Sequence, residues 1–190
     1  LVLIGTNIAW RTGGAPSRTS AMFVPINTKA RVDELIQGIA IQSGNDAAIS
    51  VAEGIAGNEA AFAKMMTEEA RRLGMSQSTF GNATGLPNAK QLMSARELAI
   101  LARHLIFEYP DHYPVFGQRE FLYRKHKFFN RNPLLSLSIG VDGLKTGHTK
   151  EAGFGLVASA VQDGKRLIVV VMGLETENQQ ERKRGQELEN

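Results

Sequence analysis

The chain of 190 residues contains no cysteine, and this absence excludes structural disulfides and thiolate zinc sites. It also lacks any apolar run near the roughly 20 residues that a helix needs to span a bilayer. The 4 histidines include no closely spaced pair of the kind that binds a metal ion. What remains is a chain with 43% hydrophobic and 22% charged residues, which is typical of one globular domain with a real core.

The chain also has no large excess of positive or negative charge. It contains 22 lysines and arginines and 19 aspartates and glutamates, for a net charge of +3. The densest basic cluster, Arg182-Lys183-Arg184, is flanked by Glu181 and Glu187, as on a solvated helix face. We therefore expect no nucleic-acid partner. The mild positive charge suits an anionic substrate or an envelope surface.

The spacing of apolar residues predicts helices in the middle of the chain and strands on both sides. Asp33 can cap the first helix, and Asp163-Gly164-Lys165 is a tight-turn signal between two later strands. The predicted helices cover residues 33–42, 46–56, 58–73 and 94–107, and the predicted strands cover 1–10, 121–123, 153–161 and 166–174.

This order predicts an α+β fold with an antiparallel sheet flanked by helices. A mostly helical subdomain at residues 33–107 is inserted between two sheet-containing parts, at 1–32 and 120–190. The whole chain, residues 1–190, is then one fragment of a single domain.

Ser43-Gly44-Asn45 separates the first two predicted helices. Serine, glycine and asparagine are common turn formers, so a simple helix-to-helix turn explains this tripeptide taken alone. The functional alternative is a serine hydroxyl that relays a proton beside an amide that holds a substrate carbonyl. A hydroxyl can donate and accept a hydrogen bond at once, which a proton relay requires.

Lys145-Thr146-Gly147 lies just before the strand-like run that begins at Gly153. An ammonium, a hydroxyl and a position without a side chain form a good receptor for a carboxylate. His148 adds a second polar group of adjustable charge. A surface lysine is the alternative interpretation of this segment when it is considered alone.

Both tripeptides lie within longer stretches, which cover residues 39–48, 130–132, 140–149 and 151–160. In this extended form the chain resembles the low-molecular-weight penicillin-binding proteins, which are serine-type D-alanyl-D-alanine carboxypeptidases of the peptidase S11 type. The resemblance implies a β-lactamase/transpeptidase-like fold. It implies an enzyme of the bacterial periplasm that removes the terminal D-alanine from peptidoglycan stem peptides through an acyl-enzyme and binds β-lactam antibiotics. It implies no metal or organic cofactor.

The resemblance also implies roles for individual residues. Ser43, Asn45 and Lys145 would be catalytic: Ser43 in the proton relay, Asn45 orienting the peptide, and Lys145 adding positive potential and activating hydroxyls. The implied substrate-binding residues near the terminal carboxylate are Thr146, Gly147, His148, Arg131 and Arg182. A surface ion pair is an equally good interpretation of Arg131.

The family's nucleophile motif, Ser-x-x-Lys, is absent, because no serine of the chain is followed by lysine three positions later. We therefore expect a preceding N-terminal segment that carries the motif, and the resemblance allows a membrane anchor in another segment outside the chain. Without an activated hydroxyl, residues 1–190 can bind and polarise a substrate but cannot form the acyl-enzyme.

Two alternatives remain open. One is a non-catalytic peptidoglycan- or penicillin-binding module that keeps the carboxylate pocket without the nucleophile. The other is a class A β-lactamase-like hydrolase. Gly44 stands where those enzymes have aspartate, and no Glu-x-x-Leu-Asn pattern lies between Ser43 and Lys145, which favours the peptidase.

Overall fold

Residues 1–175 are described by a computed structural model, and they divide into two units. The first unit comprises Leu1–Glu69, Thr79–Leu92 and Arg119–Asn130. The second comprises Ala70–Ser78, Met93–Gln118 and, among the described residues, 131–175. The division predicted above, with a subdomain at residues 33–107, stays a prediction.

The first unit begins with a short antiparallel pair, β1 (Val2–Ile4) with β2 (Lys29–Arg31). A helix, α1 (Asn7–Gly13), follows β1, so the predicted strand over residues 1–10 is wrong beyond Ile4. The reason is a helix cap, because the Thr6 hydroxyl oxygen accepts a hydrogen bond of 3.0 Å from the backbone N–H of Ala9.

The predicted helix at 33–42 consists of α2 (Val32–Gln37) and one π-helical turn, Gly38–Gln42. Asp33 does not cap it, because Arg31 occupies the N-cap position and Asp33 lies in the first turn. The Asp33 carboxylate accepts hydrogen bonds of 2.9 and 2.6 Å from the Arg31 guanidinium instead. The predicted cap was therefore two residues too late.

Two longer helices, α3 (Asn45–Ala56) and α4 (Glu59–Arg72), agree with the prediction. Gly57 ends α3 in the left-handed conformation with a φ of 79°, where glycine is favoured. The Asn58 side-chain oxygen accepts a hydrogen bond of 2.8 Å from Ala61 N and so caps α4. Local capping signals therefore predicted the end of α3 and the start of α4 correctly.

A hairpin of β3 (Glu120–Tyr123) and β4 (His126–Phe129) completes the first unit. Phe121 and Phe128 face each other across the two strands, both buried, with ring centroids 5.2 Å apart. The predicted strand at 121–123 is confirmed.

In the second unit, α5 (Ala95–Glu108) begins at Ser94, whose hydroxyl accepts a hydrogen bond of 3.3 Å from Glu97 N. The buried Glu97 carboxylate accepts hydrogen bonds from Gln77 N at 2.9 Å and from the Ser78 hydroxyl. The Glu97 side chain therefore joins residues 77 and 78 to α5.

The sheet of the second unit has three antiparallel strands in the order β5 (Val141–Thr149), β6 (Gly153–Gln162) and β7 (Lys165–Leu174). Asp163 and Gly164 have positive φ values of 49° and 74°, as a tight hairpin turn requires. Both predicted strands are confirmed, and the Lys145 segment lies inside β5 rather than before a strand.

Two apolar clusters hold this sheet. One joins Leu144 of β5 to Tyr113 and to Ala102 and Ile106 of α5. The other places Leu134 against β6. Its members from β6 are Leu156, Ala158 and Ala160. The predicted α+β architecture, with antiparallel strands flanked by helices, is confirmed.

Candidate active site

Ser43 lies where the π-helical turn ends and α3 has not yet begun. Its backbone is left-handed, with φ 61° and ψ 38°, a conformation that only a few per cent of non-glycine residues adopt. Such conformations are concentrated at functional sites, because the surrounding structure must stabilise them. Ser43 is half-buried, so part of its surface stays accessible.

Asn45 is the first residue of α3 and is buried, with 7% of the residue exposed. Its amide nitrogen donates a hydrogen bond of 2.9 Å to the Thr19 hydroxyl oxygen, and its backbone N–H donates one of 2.8 Å to Ser20 O. A β-carbon added at Gly13 would lie 2.5 Å from Asp46 N, so only glycine lets α1 approach this end of α3. The structure therefore fixes both the backbone and the amide of Asn45.

Asp46 fastens the preceding segment to the same end of the helix. Its fully buried carboxylate accepts hydrogen bonds of 2.8 Å from Met22 N and 2.8 Å from Val24 N. A carboxylate in the first turn also complements the positive end of the helix dipole. The sequence alone does not indicate this role of Asp46, since its partners lie more than 20 residues away and leave no local signal.

The Lys145 segment lies on β5, which is the edge strand of its three-stranded sheet. Lys145 pairs with Val157, and Gly147 pairs with Gly155. A β-carbon built at Gly147 would have no atom within 4 Å, so the space beside this position is open. His148 is exposed, and its ring stacks on Phe154 with centroids 4.0 Å apart.

Lys145 is half-buried, and its ammonium nitrogen donates a hydrogen bond of 2.8 Å to Thr146 O. Burial and, to a smaller extent, the nearby positive charge of Arg131 lower the pKa of Lys145 to about 8. At neutral pH, roughly one lysine in ten is therefore neutral, as a pKa one unit above the pH dictates. The side chain can supply positive potential and can also exchange a proton.

This lowered pKa predicts how Lys145 affects stability. The unfolded chain has the ordinary lysine value of 10.5 and the folded chain about 8, a difference that corresponds to at most about 3 kcal/mol. Because the folded pKa is the lower one, the cost is present below pH 8 and disappears as the pH rises to 10.5. After allowance for partial exposure, we expect Lys145→Met to raise the free energy of unfolding by about 1–2 kcal/mol at pH 7.

Urea denaturation of the complete gene product at pH 7 and pH 10 measures this effect. The gain from Lys145→Met should shrink at pH 10, whereas the exposed Lys150, changed to Met, should give no comparable gain at either pH. A variant that is less stable than the unaltered protein at pH 7 would contradict the burial argument.

Arg131 and Asn132 lie in the second unit and connect to β5. The buried Asn132 donates a hydrogen bond of 3.1 Å from its amide nitrogen to Gly143 O, and its amide oxygen accepts one of 3.2 Å from Leu134 N. These hydrogen bonds join Asn132, which follows the exposed Arg131, to β5 at Gly143, two residues before Lys145. Asn132 belongs to the stretch 130–132 that carries the family resemblance, but its structural role was not predicted from the sequence.

A second group of hydrogen bonds holds the start of β5. One nitrogen of Arg166 donates to both carboxylate oxygens of Asp142, at 2.7 and 2.6 Å, and to the Ser159 hydroxyl oxygen at 2.8 Å. The Tyr113 hydroxyl donates to the same carboxylate at 3.0 Å. Burial raises the pKa of Tyr113 well above its usual value, so the phenol stays protonated as a donor. Nothing local in the sequence indicated this network.

The structure therefore brings Lys145, Thr146, Gly147 and His148 together on one strand, with Arg131 in the same unit. Ser43 and Asn45 lie together in the first unit. That these two groups form one cleft stays a prediction. The predicted contact residue Arg182 lies outside the described residues.

Residues 1–176 match the sequence profile of the D-alanyl-D-alanine carboxypeptidase family, peptidase S11, and the chain belongs to this family. The chain is 41% identical over 179 residues to the D-alanyl-D-alanine carboxypeptidase DacC of Escherichia coli K12, covering 93% of this chain and 44% of that protein. The curated relatives are thus more than twice as long as the matched region, and this match confirms the family resemblance inferred from the motifs.

Solved structures agree with this assignment. Penicillin binding protein 5 from Haemophilus influenzae superposes with a TM-score of 0.91 and 37% identity, over 97% of this chain and 54% of that one. A mutant of the Streptomyces K15 DD-transpeptidase gives a TM-score of 0.88 over 100% of this chain and 78% of that one, and at 21% identity it shows the fold alone. The predicted β-lactamase/transpeptidase-like fold is confirmed.

Two further observations concern residues 1–175 only. No helix in this part of the chain combines the length and the apolar character that crossing a bilayer requires. Within the same residues, no group of three or more histidine, aspartate or glutamate side chains is placed to hold a metal ion.

Proposed function

We propose that the complete gene product containing these residues is a serine-type D-Ala-D-Ala carboxypeptidase that trims peptidoglycan stem peptides and binds penicillin. The observation that carries this proposal is the Lys145 segment of a peptidase S11 family member. It combines an open strand edge with a half-buried lysine whose pKa is about 8. Such a group can attract a carboxylate and still exchange a proton near neutral pH.

The proposed reaction is an acyl transfer in two steps. A serine oxygen attacks the carbonyl carbon of the bond between the two D-alanines, and the C–N bond breaks as the departing amine takes a proton. Water then attacks the resulting ester and frees both the shortened peptide and the serine. Ser43 relays protons in these steps, and Asn45 holds a carbonyl of the substrate peptide, as the fixed position of its amide supports.

In the proposed complex the free carboxylate of the peptide lies near Lys145, with Thr146 and His148 as hydrogen-bond donors. Gly147 leaves room for the peptide backbone, since nothing lies within 4 Å of its missing β-carbon. An extended peptide can then pair with the edge of β5 as an added strand. Arg131 supports the carboxylate end through its planar set of donors, and Arg182 is proposed to do the same.

The nucleophile is proposed to lie outside residues 1–190. No serine in the chain has a lysine three positions later. A Ser-x-x-Lys segment elsewhere in the gene product would complete the site, because acyl transfer needs an activated hydroxyl. No nucleic acid is expected to bind, given a net charge of only +3.

Release of D-alanine tests the proposed function directly. We expect the complete gene product to liberate D-alanine from a peptide ending in Lys-D-Ala-D-Ala and to hydrolyse penicillin slowly, because no Glu-x-x-Leu-Asn pattern between Ser43 and Lys145 supplies the glutamate that deacylates class A β-lactamases. A coupled D-amino-acid oxidase assay follows the first reaction, and absorbance of the lactam ring follows the second. Rapid penicillin turnover without D-alanine release would establish a β-lactamase-like hydrolase instead.

The second candidate function is a non-catalytic binding module for the same peptides. It is favoured by the absence of a Ser-x-x-Lys motif within residues 1–190, since the proposed carboxylate receptor would then bind without a nucleophile. The sequence of the complete gene separates the two functions, since a module would contain no such motif anywhere.

The proposed site of action is the bacterial periplasm, with membrane attachment through a segment outside residues 1–190. The relatives named above come from bacteria, and the proposed physiological substrate, peptidoglycan, lies in the cell envelope. Cell fractionation tests this location, with recovery in the membrane or periplasmic fraction as the expected result.

A further inference from the structure

A directed chain of hydrogen bonds ends at the amide of Asn45. The Asn45 amide nitrogen lies 2.9 Å from the Thr19 hydroxyl oxygen, which in turn lies 2.7 Å from the Ser17 hydroxyl oxygen. The Ser17 hydroxyl donates a hydrogen bond of 2.6 Å to Gly14 O. Neither Ser17 nor Thr19 has a role in the function proposed above.

Counting protons determines the direction of this chain. A backbone carbonyl can only accept, so the single hydroxyl proton of Ser17 goes to Gly14 O. The Thr19 hydroxyl must therefore give its own proton to the Ser17 oxygen. Thr19 is left with lone pairs only on the side of Asn45, and lone pairs require an N–H from the amide.

The amide of Asn45 can therefore take only one orientation. If it were rotated by half a turn, its oxygen would face the lone pairs of Thr19 with no proton between them. The Ser17 oxygen also accepts a hydrogen bond of 3.2 Å from Thr19 N, which uses its remaining capacity and keeps its proton on Gly14. The chain thus decides a choice that nitrogen and oxygen positions alone leave open.

We propose that Thr19, held by Ser17, is a positioning residue that fixes which way the Asn45 amide points. One amide N–H binds Thr19, and the other N–H is then presented to a carbonyl of the acylating substrate. This inference rests on the proposed function and deepens it. It adds a residue that sets the substrate-binding geometry without itself touching the substrate.

The experiment compares two β-lactams that differ in the carbonyl that Asn45 is proposed to hold. Benzylpenicillin has a side-chain amide carbonyl, and 6-aminopenicillanic acid has none. In the complete gene product, Thr19→Val should lower the second-order acylation rate constant about three- to tenfold with benzylpenicillin and less than twofold with 6-aminopenicillanic acid. Thr19→Ser keeps a hydroxyl acceptor at this position, so it should keep the acylation rate with benzylpenicillin near that of the unaltered protein.

Two controls separate positioning from loss of structure. Thr19 is exposed and only two side-chain hydrogen bonds are lost, so Thr19→Val should lower the thermal midpoint by only about a few degrees and leave the protein folded at the assay temperature. Thr12, also exposed and bonded only locally to Ile8 O at 2.7 Å, changed to Val should leave both rates unchanged. In an Asn45→Ala background, Thr19→Val should cause no additional loss, because the group it positions is gone.

Equal losses with both β-lactams, or no loss with either, would overturn the positioning role while leaving the enzyme intact. Failure of the proposed function would look different, since the unaltered gene product would then release no D-alanine from a peptide ending in Lys-D-Ala-D-Ala. The D-alanine assay and the acylation rates of the Thr19 variants therefore distinguish the two failures.

Discussion

Fluorescent penicillin is expected to label the complete gene product at a serine outside residues 1–190, and to leave every serine of this chain unmodified. The reason is chemical. Formation of an acyl-enzyme requires a hydroxyl whose proton is taken by a neighbouring base, and the family places that base three residues after the serine. No serine in the chain has this neighbour. Proteolysis and mass mapping of the labelled protein identify the acylated peptide.

A matched measurement uses residues 1–190 alone. Circular dichroism first establishes whether this polypeptide is folded, and a folded sample should show no covalent label while the complete protein shows roughly one label per chain. An adduct on Ser43, in either sample, would overturn the relay role and make Ser43 the nucleophile.

Replacement of Lys145 should produce the largest effect of any single substitution in the chain. We expect Lys145→Ala in the complete gene product to lower the acylation rate constant by about 10²- to 10³-fold, the usual size of a lost general acid–base group. The variant loses both the positive potential for the carboxylate and a group whose pKa of about 8 permits proton exchange. Stopped-flow or gel-based acylation kinetics with a fluorescent penicillin measures the loss.

A second variant separates charge from proton exchange. Lys145→Arg keeps the positive charge, but a guanidinium does not lose its proton at accessible pH. We expect the Lys145→Arg variant to bind the carboxylate better than the Lys145→Ala variant does, and to be acylated nearly as slowly as the Lys145→Ala variant. Lys150→Ala, in the turn after β5, should leave acylation unchanged. An acylation rate within threefold of the unaltered protein for Lys145→Ala would contradict a catalytic role.

Much of the fold could be predicted because its signals are local. Asn58 and Gly57 mark the junction of two helices through capping and a left-handed end, and both act within four residues of their own position. The Asp163-Gly164 turn likewise sets the register of the hairpin around it. The wrong strand prediction at residues 7–13 also came from local signals. The apolar residues there resembled a strand, and the Thr6 cap was not recognised.

The support of the candidate site could not be predicted, because it depends on partners far apart in the sequence. The Asp142–Arg166 pair is separated by 24 residues, and Asp46 reaches Met22 across the same interval. A carboxylate near a glycine-rich motif has many possible partners, and only the folded backbone selects among them. The residue types of the site were therefore readable from the sequence, whereas their pKa values and fixed orientations were not.

The open edge of β5 also has a consequence for solubility. A row of backbone N–H and C=O groups at the edge of a sheet can accept a strand from another copy of the chain, which is how edge-to-edge aggregation begins. The register irregularity between Val141 and Gly143 interrupts that row. Lys145 adds a positive charge, which would repel the Lys145 of a second copy. We infer that substitutions chosen to neutralise this lysine will also lower the concentration at which the protein self-associates.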